Sequence, residues 1–326
     1  MTTTTESDPA RPRPGAGLPT AARAYGIVWV TLVLFVVLSF ASDVFLSKTN
    51  LLNVLNQQST VLIVAAAMTL TLIAGGFDVS LSAVYVLGGV TALRVENDTG
   101  SIALGVAACL LIGLAAGSFN GFASTVLRIN SFIATLATSF VYFGLAYVIS
   151  ERSVMRPENP SFSEVARYKI LGVALASWIA IAVVVALWIV LDRTRFGRHV
   201  YAVGGNPEAA RLSGVRVQLV QFATFAIGGI AAALAGLLVA SRTSTAQASD
   251  DFSFVFGVIA AVVVGGTSIR GGEGAVWRSV FGAFFIAFMV NGFNLLGFDP
   301  VYQRIVIGII ILGAVAIDAL SRARNA

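Results

Sequence analysis

The chain has 326 residues, of which 57% are hydrophobic and only 11% are charged, and its mean hydropathy is +0.87. This composition excludes a soluble globular domain and predicts an integral membrane protein. The net charge of +5 does not indicate nucleic-acid binding, because the basic residues lie mostly at the ends of apolar runs rather than in a stripe. We therefore expect contact with membrane lipid and none with nucleic acid.

The N-terminal residues 1–24 contain four prolines and four consecutive threonines. They have little to bury, so we predict a disordered cytoplasmic tail. The apolar stretch that follows resembles a secretion signal, but it continues to Leu46, and we interpret it as a first membrane span. The membrane domain is then expected over 25–321, followed by a cytoplasmic C-terminal tail at 322–326.

Apolar runs of about 20 residues, the length that crosses a bilayer as a helix, predict an all-α polytopic fold with about ten spans. Seven runs have this length: 26–46, 102–127, 131–150, 170–191, 219–240, 276–296 and 302–320. The run 59–95 is nearly twice as long and is interrupted by glycines, so we predict a broken helix near 75–82 and two spans. The shorter run 254–274 is counted as one span.

Charge gives the orientation. The segment 192–218 between the sixth and seventh spans carries five arginines against two acids, and cytoplasmic connections are enriched in Lys and Arg. With ten spans both termini are cytoplasmic. An Asn-Gly pair recurs at Asn120 and at Asn291, which suggests an inverted repeat of four-helix halves, spans two to five and seven to ten.

Three polar sites lie within the apolar runs. Asp78 and Ser80 follow a glycine pair, and a carboxylate at membrane depth must face a cavity or a partner. Two interpretations of Asp78 and Ser80 stay open: they line a passage, or they only cap the following helix. Asn120 and Asn291 either line the passage or hold helices together by hydrogen bonds.

The residues give no support for catalysis. The chain has only two lysines, Lys48 and Lys169, and neither lies in the motif of a phosphate-binding loop, so the glycine-rich run GGTSIRGGEGAVW (265–277) is not one. The single histidine, His199, has no second His or Cys for a metal site. Cys109 is the only cysteine, so it forms no intrachain disulfide, and we interpret it as a packing residue. We expect no catalytic, cofactor-binding or metal-binding residues in this chain.

Six motifs occur in order along the chain: GGFDVS (75–80), FNG (119–121), NSFIATLAT (130–138), TRFGRHVYAVGGNPEAARLSGV (194–215), IAAVVVGGTSIRGGEGAV (259–276) and NGFNLLG (291–297). Together they resemble the permease subunits of bacterial ABC importers for ribose, xylose and similar small sugars. These belong to the superfamily that also holds branched-chain amino acid permeases.

The resemblance implies a permease in the bacterial plasma membrane that pairs with a second permease copy and with an extracytoplasmic substrate-binding protein. It also implies a cytoplasmic ABC ATPase, as two copies or as a fused tandem, that binds ATP and Mg²⁺. It also implies a coupling helix that begins at Pro207, ends by Gly214 and enters a groove of the ATPase. The expected coupling residues are Arg198, Gly204, Gly205, Asn206, Glu208, Ala209, Arg211 and Gly214. The expected pathway-lining residues are Phe77, Asp78, Ser80, Asn120 and Asn291.

The chain departs from the family pattern at three places: Leu81 and Ser82 replace the usual Val-Gly, an acidic residue is missing around 254–257, and Trp277 and Arg278 replace smaller residues. These departures leave the solute open, and a polyol, an amino acid or a nucleoside is an alternative to a sugar. A second alternative is an ion-coupled secondary transporter in which Asp78 titrates.

Overall fold

The computed structural model describes residues 20–323, and these are almost entirely helical. The helices are α1 (Thr20–Ala41), α2 (Lys48–Ile73), α3 (Leu81–Thr99), α4 (Ile102–Thr125), α5 (Ser131–Ile149), α6 (Glu164–Arg167), α7 (Leu175–Arg193), α8 (Arg195–Gly205), α9 (Pro207–Leu212), α10 (Val217–Thr243), α11 (Ser253–Val264), α12 (Val276–Leu295) and α13 (Pro300–Ala323). Residues 20–24 and 322–323 of the predicted tails belong to α1 and α13, and the rest of both tails, 1–19 and 324–326, lies outside the described residues.

Six of the described helices are long and apolar enough to cross a membrane: α2, α4, α5, α7, α10 and α12. Shorter apolar stretches occur in α1, α11 and α13. The predicted all-α polytopic membrane fold is therefore confirmed.

The long helices run between two ends of the bundle. At one end, α7 leads directly into α8 and α9, and the Gln218 side chain of α10 donates to the Thr125 carbonyl at the end of α4 (3.1 Å). At the opposite end, residues 150–174 form an irregular cap that contains an antiparallel hairpin of two short strands, β1 (Lys169–Ile170) and β2 (Val173–Ala174), with Lys169 opposite Ala174. We call these the α8–α9 end and the hairpin end.

Helix α10 lies at the centre of the bundle and packs against α2, α3 and α4. Its contact with α4 depends on glycine: a side chain at Gly229 would overlap the backbone of Gly113 and Gly117. Close backbone approach at small residues is the usual way for helices to pack in lipid, where apolar burial alone gives no preference for a protein neighbour.

The cap at the hairpin end is held to the bundle mainly by Ser241, near the end of α10. The Ser241 hydroxyl accepts the Ala166 N–H (2.9 Å) and donates to the Phe162 carbonyl (2.7 Å). Met155 pairs with Ala246 through two backbone hydrogen bonds. The cap therefore fixes the segment that follows α10.

Four predicted boundaries were wrong. The span 26–46 was predicted too long, since α1 ends at Ala41, and the span 170–191 begins inside the hairpin, since α7 begins at Leu175. Helix α2 begins at Lys48 rather than near 59, because its first three turns carry polar residues that interrupt the hydropathy signal but not the helix. The run 254–274 is helical only over α11, which has 12 residues. At 1.5 Å per residue, α11 is about 18 Å long and is too short to cross a bilayer by itself. The glycine-rich residues after Val264 form turns instead.

The predicted helix break is present, since residues 74–80 between α2 and α3 are not helical. A second break, 244–252, separates α10 from α11. The Val255 N–H at the start of α11 donates to the Ser82 hydroxyl at the start of α3 (2.9 Å). The helices that follow the two breaks therefore begin side by side.

Candidate coupling surface and buried polar network

Helices α8 and α9 form most of the polar surface at one end of the bundle. Thr194 caps α8 by accepting the Gly197 N–H (3.3 Å), and the buried residues Gly197, Val200 and Val203 recur at every third position. This spacing places one face of α8 against the bundle and leaves the other exposed.

Helix α9 is a short exposed helix with the predicted start. Asn206 caps it, with its side-chain oxygen accepting the N–H groups of Glu208 (3.1 Å) and Ala209 (3.0 Å), and Pro207 occupies the first turn. These are the residues that helix N-termini favour. Gly214, at φ 83°, lies just beyond the helix end, in the left-handed conformation that glycine adopts without strain.

The predicted coupling residues lie on this surface, with one exception. Glu208 and Arg211 form an exposed ion pair (2.6 Å), and Arg198 is also exposed. Gly204 instead faces inward, because a side chain there would overlap the Ile73 carbonyl oxygen, whereas Gly205 has open space beside it. Sequence reasoning missed Leu212, whose side chain is 82% exposed at the end of α9.

Five glycines form a junction beneath this surface: Gly75, Gly204, Gly205, Gly271 and Gly272. A side chain at Gly271 would contact both Gly204 and Gly75 (3.1 Å each), and the Gly272 N–H donates to the Ile73 carbonyl (2.9 Å). We call this the glycine junction. It joins α8, the end of α2 and the turn after α11 by direct backbone contact.

A cavity of about 630 Å³ lies beside α9. It is lined by three arginines, Arg128, Arg211 and Arg216, and by one acid, Glu208. The surrounding surface is therefore cationic, which is the charge that the sequence predicts for this end of the bundle. Within residues 20–323, no group of three or more His, Cys, Asp or Glu side chains is placed to hold a metal ion.

The first break is held against α5 by hydroxyl groups. The Phe77 N–H donates to Ser131 Oγ (3.0 Å), and the Val79 N–H donates to Thr135 Oγ1 (3.2 Å). These serine and threonine side chains replace the partners that a continuous helix would give to the backbone. The motif NSFIATLAT thus has a structural role, which is to support the non-helical segment.

Asp78, Ser80 and Asn120 form one buried hydrogen-bonded network. Asp78 Oδ1 accepts the Ser80 N–H (2.9 Å) and the Ser80 hydroxyl (2.6 Å), and Asn120 Nδ2 donates to Ser80 Oγ (2.6 Å). Asn120 Oδ1 in turn accepts the hydroxyls of Thr138 (2.7 Å) and Tyr142 (3.3 Å). Ser80 is the N-cap residue of α3, but its side chain makes no capping bond. Of the two predicted caps, it is Asp78 that satisfies an amide at the helix start, the Ser80 N–H.

This network is closed in the present conformation. Asp78 is 2% exposed, and both Ser80 and Asn120 are fully buried. Asp78 Oδ2 has no hydrogen-bond partner among the described residues. The buried network therefore does not border an open passage here, and a lining role for its residues stays a prediction.

The other two predicted lining residues lie elsewhere. Asn291 on α12 forms a reciprocal amide pair with Asn50 on α2 (2.9 and 3.0 Å), near the hairpin end. Phe77 is half-buried and packs edge to face on Phe132, with ring centroids 5.8 Å apart. Asn120 and Asn291 are therefore not neighbours, although each bonds a polar residue of another segment.

Two departures from the family pattern meet in space. The Ser82 hydroxyl accepts the Val255 N–H, and Val255 lies in the region where the sequence lacks the expected acidic residue. The third departure has a packing role, because Trp277 contacts Tyr25 of α1 (5.6 Å) and Phe281 (6.2 Å) between ring centroids.

The second break repeats the local structure of the first. Asp251 Oδ1 accepts the Ser253 N–H (2.8 Å), as Asp78 Oδ1 accepts the Ser80 N–H. In both places Asp-X-Ser leads into the helix that follows the break. Asp251 and Ser253 are exposed, however, whereas Asp78 and Ser80 are buried. Sequence reasoning missed this second turn, although the triplets DVS and DFS are a signal for it.

Several known transport proteins are similar in sequence to this chain. The ribose import permease protein RbsC of Escherichia coli (strain K12) is 37% identical over 294 residues, 88% of this chain and 91% of that protein. The L-arabinose transport system permease protein AraH of the same strain is 36% identical over 313 residues, 93% and 95% of the two chains. The galactose/methyl galactoside import permease protein MglC of Salmonella typhimurium (strain LT2) is 34% identical over 319 residues, 92% and 95%.

No solved structure matches this chain. The family model described as "branched-chain amino acid transport system / permease component" matches residues 50–315, which include both breaks, the buried network and the α8–α9 surface. The chain belongs to this permease family.

Proposed function

We propose that this chain is the permease subunit of an ATP-binding-cassette importer and that it forms the membrane passage for a small sugar. The observation that carries the proposal is the identity of 34–37% to relatives named as ribose, arabinose and galactose permeases, over nearly the whole of each chain. The chain itself then has no catalytic role, and ATP and Mg²⁺ are bound by a partner ATPase.

The α8–α9 surface is the proposed docking site for that ATPase. Helix α9 is exposed, with a charged pair at Glu208 and Arg211 and an unburied Leu212. Burial of such an exposed apolar side chain in a groove of a soluble partner is more favourable than its exposure to water. Closure of the ATPase would pull on α8 and, through the glycine junction, on the first break.

We further propose about ten spans, built from α1, α2, α3, α4, α5, α7, α10, α11, α12 and α13, with α11 completing its span by the extended break before it. An inverted repeat relates α2–α5 to α10–α13. The shared Asp-X-Ser turns after α2 and after α10 support this repeat, because they lie at equivalent places in the two halves.

The α8–α9 end is proposed to face the cytoplasm, with both termini on the same side, because this end carries the arginine excess. The hairpin end then faces the extracytoplasmic substrate-binding protein. A second copy of the permease encloses the passage, and lipid surrounds the pair in the bacterial plasma membrane.

The first experiment is a pull-down of the tagged permease from mild detergent, with mass spectrometry of the partners and an ATPase assay. We expect recovery of an ABC ATPase and a sugar-binding protein. Leu212→Glu should remove the ATPase from the complex, and Leu171→Glu, at the exposed tip of the hairpin, is the matched control that should retain it. Retention of the ATPase by both variants would contradict the docking assignment.

Gly205→Trp and Arg211→Glu test coupling in the assembled complex. Both positions are exposed on the proposed docking surface, so insertion into the membrane should be normal while sugar uptake per ATP hydrolysed falls. Unchanged uptake in both variants would show that the surface does not couple ATP hydrolysis to transport.

A polyol, an amino acid or a nucleoside as solute is tested by uptake assays with each compound. The ion-coupled alternative predicts uptake by the permease alone, abolished by an ionophore.

A further inference from the structure

The second break passes close to the middle of a membrane span. The Phe252 ring lies 6.3 Å from the Phe140 ring and 5.3 Å from the Phe143 ring, between centroids. Phe140 is the midpoint of α5, which begins at Ser131 and ends at Ile149. At 1.5 Å per residue, the midpoint is about 14 Å from either end of the helix. Phe252 therefore lies near the centre of the bilayer.

The residues beside Phe252 are polar and exposed. Asp251 and Ser253 flank it in the chain. Gln247, earlier in the same break, is also exposed, whereas its neighbours Ala246 and Ala248 are buried. An ionisable side chain at this depth does not face lipid, because the hydrocarbon cannot solvate it. This face of the protomer must therefore border water or another protein.

Two exposed aromatic rings complete the face. Phe140 is 64% exposed and Phe256 is 53% exposed, and both contact Phe252, with ring centroids 6.3 and 6.5 Å apart. We call Phe140, Gln247, Asp251, Ser253 and Phe256 the mid-membrane face. Helix α1 shows the contrasting lipid-type surface, because its exposed large side chains are apolar, among them Trp29 and Val33.

The chemistry of the mid-membrane face fits a polyhydroxylated ring. Carboxylate, amide and hydroxyl oxygens accept hydrogen bonds from hydroxyl groups, and aromatic faces pack against the C–H groups of a sugar ring. Asp251 also lies within electrostatic range of Arg304 on α13, so the face carries both an acceptor and a nearby cation.

We propose that the mid-membrane face is a sugar-contacting surface of the translocation passage, with Asp251 accepting hydroxyl hydrogen bonds and Phe140 and Phe256 packing on the ring. This inference rests on the proposed function and names the part of the chain that meets the solute. It assigns that role to the exposed second break rather than to the buried Asp78.

Labelling of a thiol tests whether the mid-membrane face borders water. Cys109 is the chain's only cysteine, so Ser253→Cys in a Cys109→Ala background carries a single thiol. In proteoliposomes containing the assembled complex, a membrane-impermeant thiol reagent should label Ser253→Cys and should not label the control Val33→Cys on α1. Resistance of both variants, or disulfide cross-linking of Ser253→Cys between two permease copies in place of labelling, would overturn the proposal.

Uptake measurements test the sugar contact. Proteoliposomes with the wild-type complex are first given radiolabelled ribose, arabinose and galactose with ATP. The sugar that the wild-type complex imports is then used to assay each variant. Asp251→Asn keeps the oxygen that accepts the Ser253 N–H but loses the charge, so we expect kcat/KM for uptake to fall about ten-fold, the effect of weakening one charge-assisted hydrogen bond. Phe256→Ala should lower it similarly. The control Asp43→Asn, an exposed acid in the loop after α1, should have no effect.

The outcomes separate this inference from the proposed function. Failure of the wild-type complex to import any of the three sugars with ATP would overturn the proposed sugar import and the sugar contact with it. Normal wild-type uptake with unchanged kcat/KM in Asp251→Asn and Phe256→Ala would overturn the sugar-contacting face alone.

Discussion

The turns 78–80 and 251–253 have the same local structure in different surroundings. In each, an aspartate accepts the N–H of the serine two residues later, and a helix follows. The first turn is buried and hydrogen-bonded by Asn120 and by hydroxyl groups of α5, whereas the aspartate and serine of the second turn are exposed. Local geometry alone therefore does not assign a role to a turn. Burial and hydrogen-bond partners distinguish the buried, hydrogen-bonded turn from the exposed one.

The two turns are also mechanically connected. The Ser82–Val255 hydrogen bond joins the helices that follow them, and Gly75 ties the first turn to the glycine junction beneath α8. We therefore expect movement of α8 to reach the buried turn first and the exposed turn second.

The largest effect is expected from Gly204→Ala in the glycine junction. The new methyl group would overlap the Ile73 carbonyl oxygen and approach the Gly272 nitrogen, so α8 must separate from the end of α2. We expect a loss of about 3 kcal/mol of stability, the upper end of the typical range for overpacking. The measurement is thermal unfolding in detergent. Gly205→Ala, with open space at its Cβ, should change the stability by less than about 0.5 kcal/mol.

Asn120→Leu should have the next largest effect, because it removes the acceptor of Thr138 and the donor to Ser80 inside the buried network. We expect a cost of about 2–3 kcal/mol from polar groups left without partners. Asn291→Leu is the matched control at the half-buried amide pair. It should cost only about 1 kcal/mol, because Asn50 also donates to the Phe45 carbonyl (2.9 Å). Equal losses in chemical unfolding would contradict the difference in burial.

Ser82→Ala breaks the bond that joins the two helices. It leaves the buried Val255 N–H without its acceptor, which should cost about 1–2 kcal/mol. Hydrogen exchange at the start of α11 should increase at the same time. Unchanged protection of the Val255 amide would show that the bond does not hold the helices together.

The smallest effect compares the two serines directly. Ser80→Ala removes hydrogen bonds to Asp78 and Asn120 and should cost about 1–2 kcal/mol. Ser253→Ala removes an exposed hydroxyl, whose contact with Asp251 water can replace, and should change the stability by less than about 0.5 kcal/mol. A similar loss in both variants would mean that the two turns are equally integrated in the fold.

Much of the fold could be predicted from the chain, because helix length and hydropathy are local properties. The runs 102–127 and 131–150 coincide with α4 and α5 within two residues, and the glycine pair at 75–76 predicted the first break. The coupling helix was predictable for the same reason, since Asn206, Pro207 and Gly214 signal a helix start and end by themselves.

The candidate sites were predicted less completely, because they depend on contacts between distant segments. The inward position of Gly204 is set by Ile73 and Gly272, and the burial of Asp78 is set by Asn120 and Thr135. The depth of Asp251 becomes visible only through the contact of Phe252 with the midpoint of α5. The periodicity of the sequence gives no information on such distances, so the exposed turn was not predicted.

The most direct test of the proposed function is sugar uptake by proteoliposomes that contain the purified permease with or without its ATPase and binding protein. We predict uptake of a small sugar only when both partners and ATP are present, with ATP hydrolysis rising as sugar is delivered. Uptake by the permease alone, driven by an ion gradient and indifferent to ATP, would contradict the proposed function.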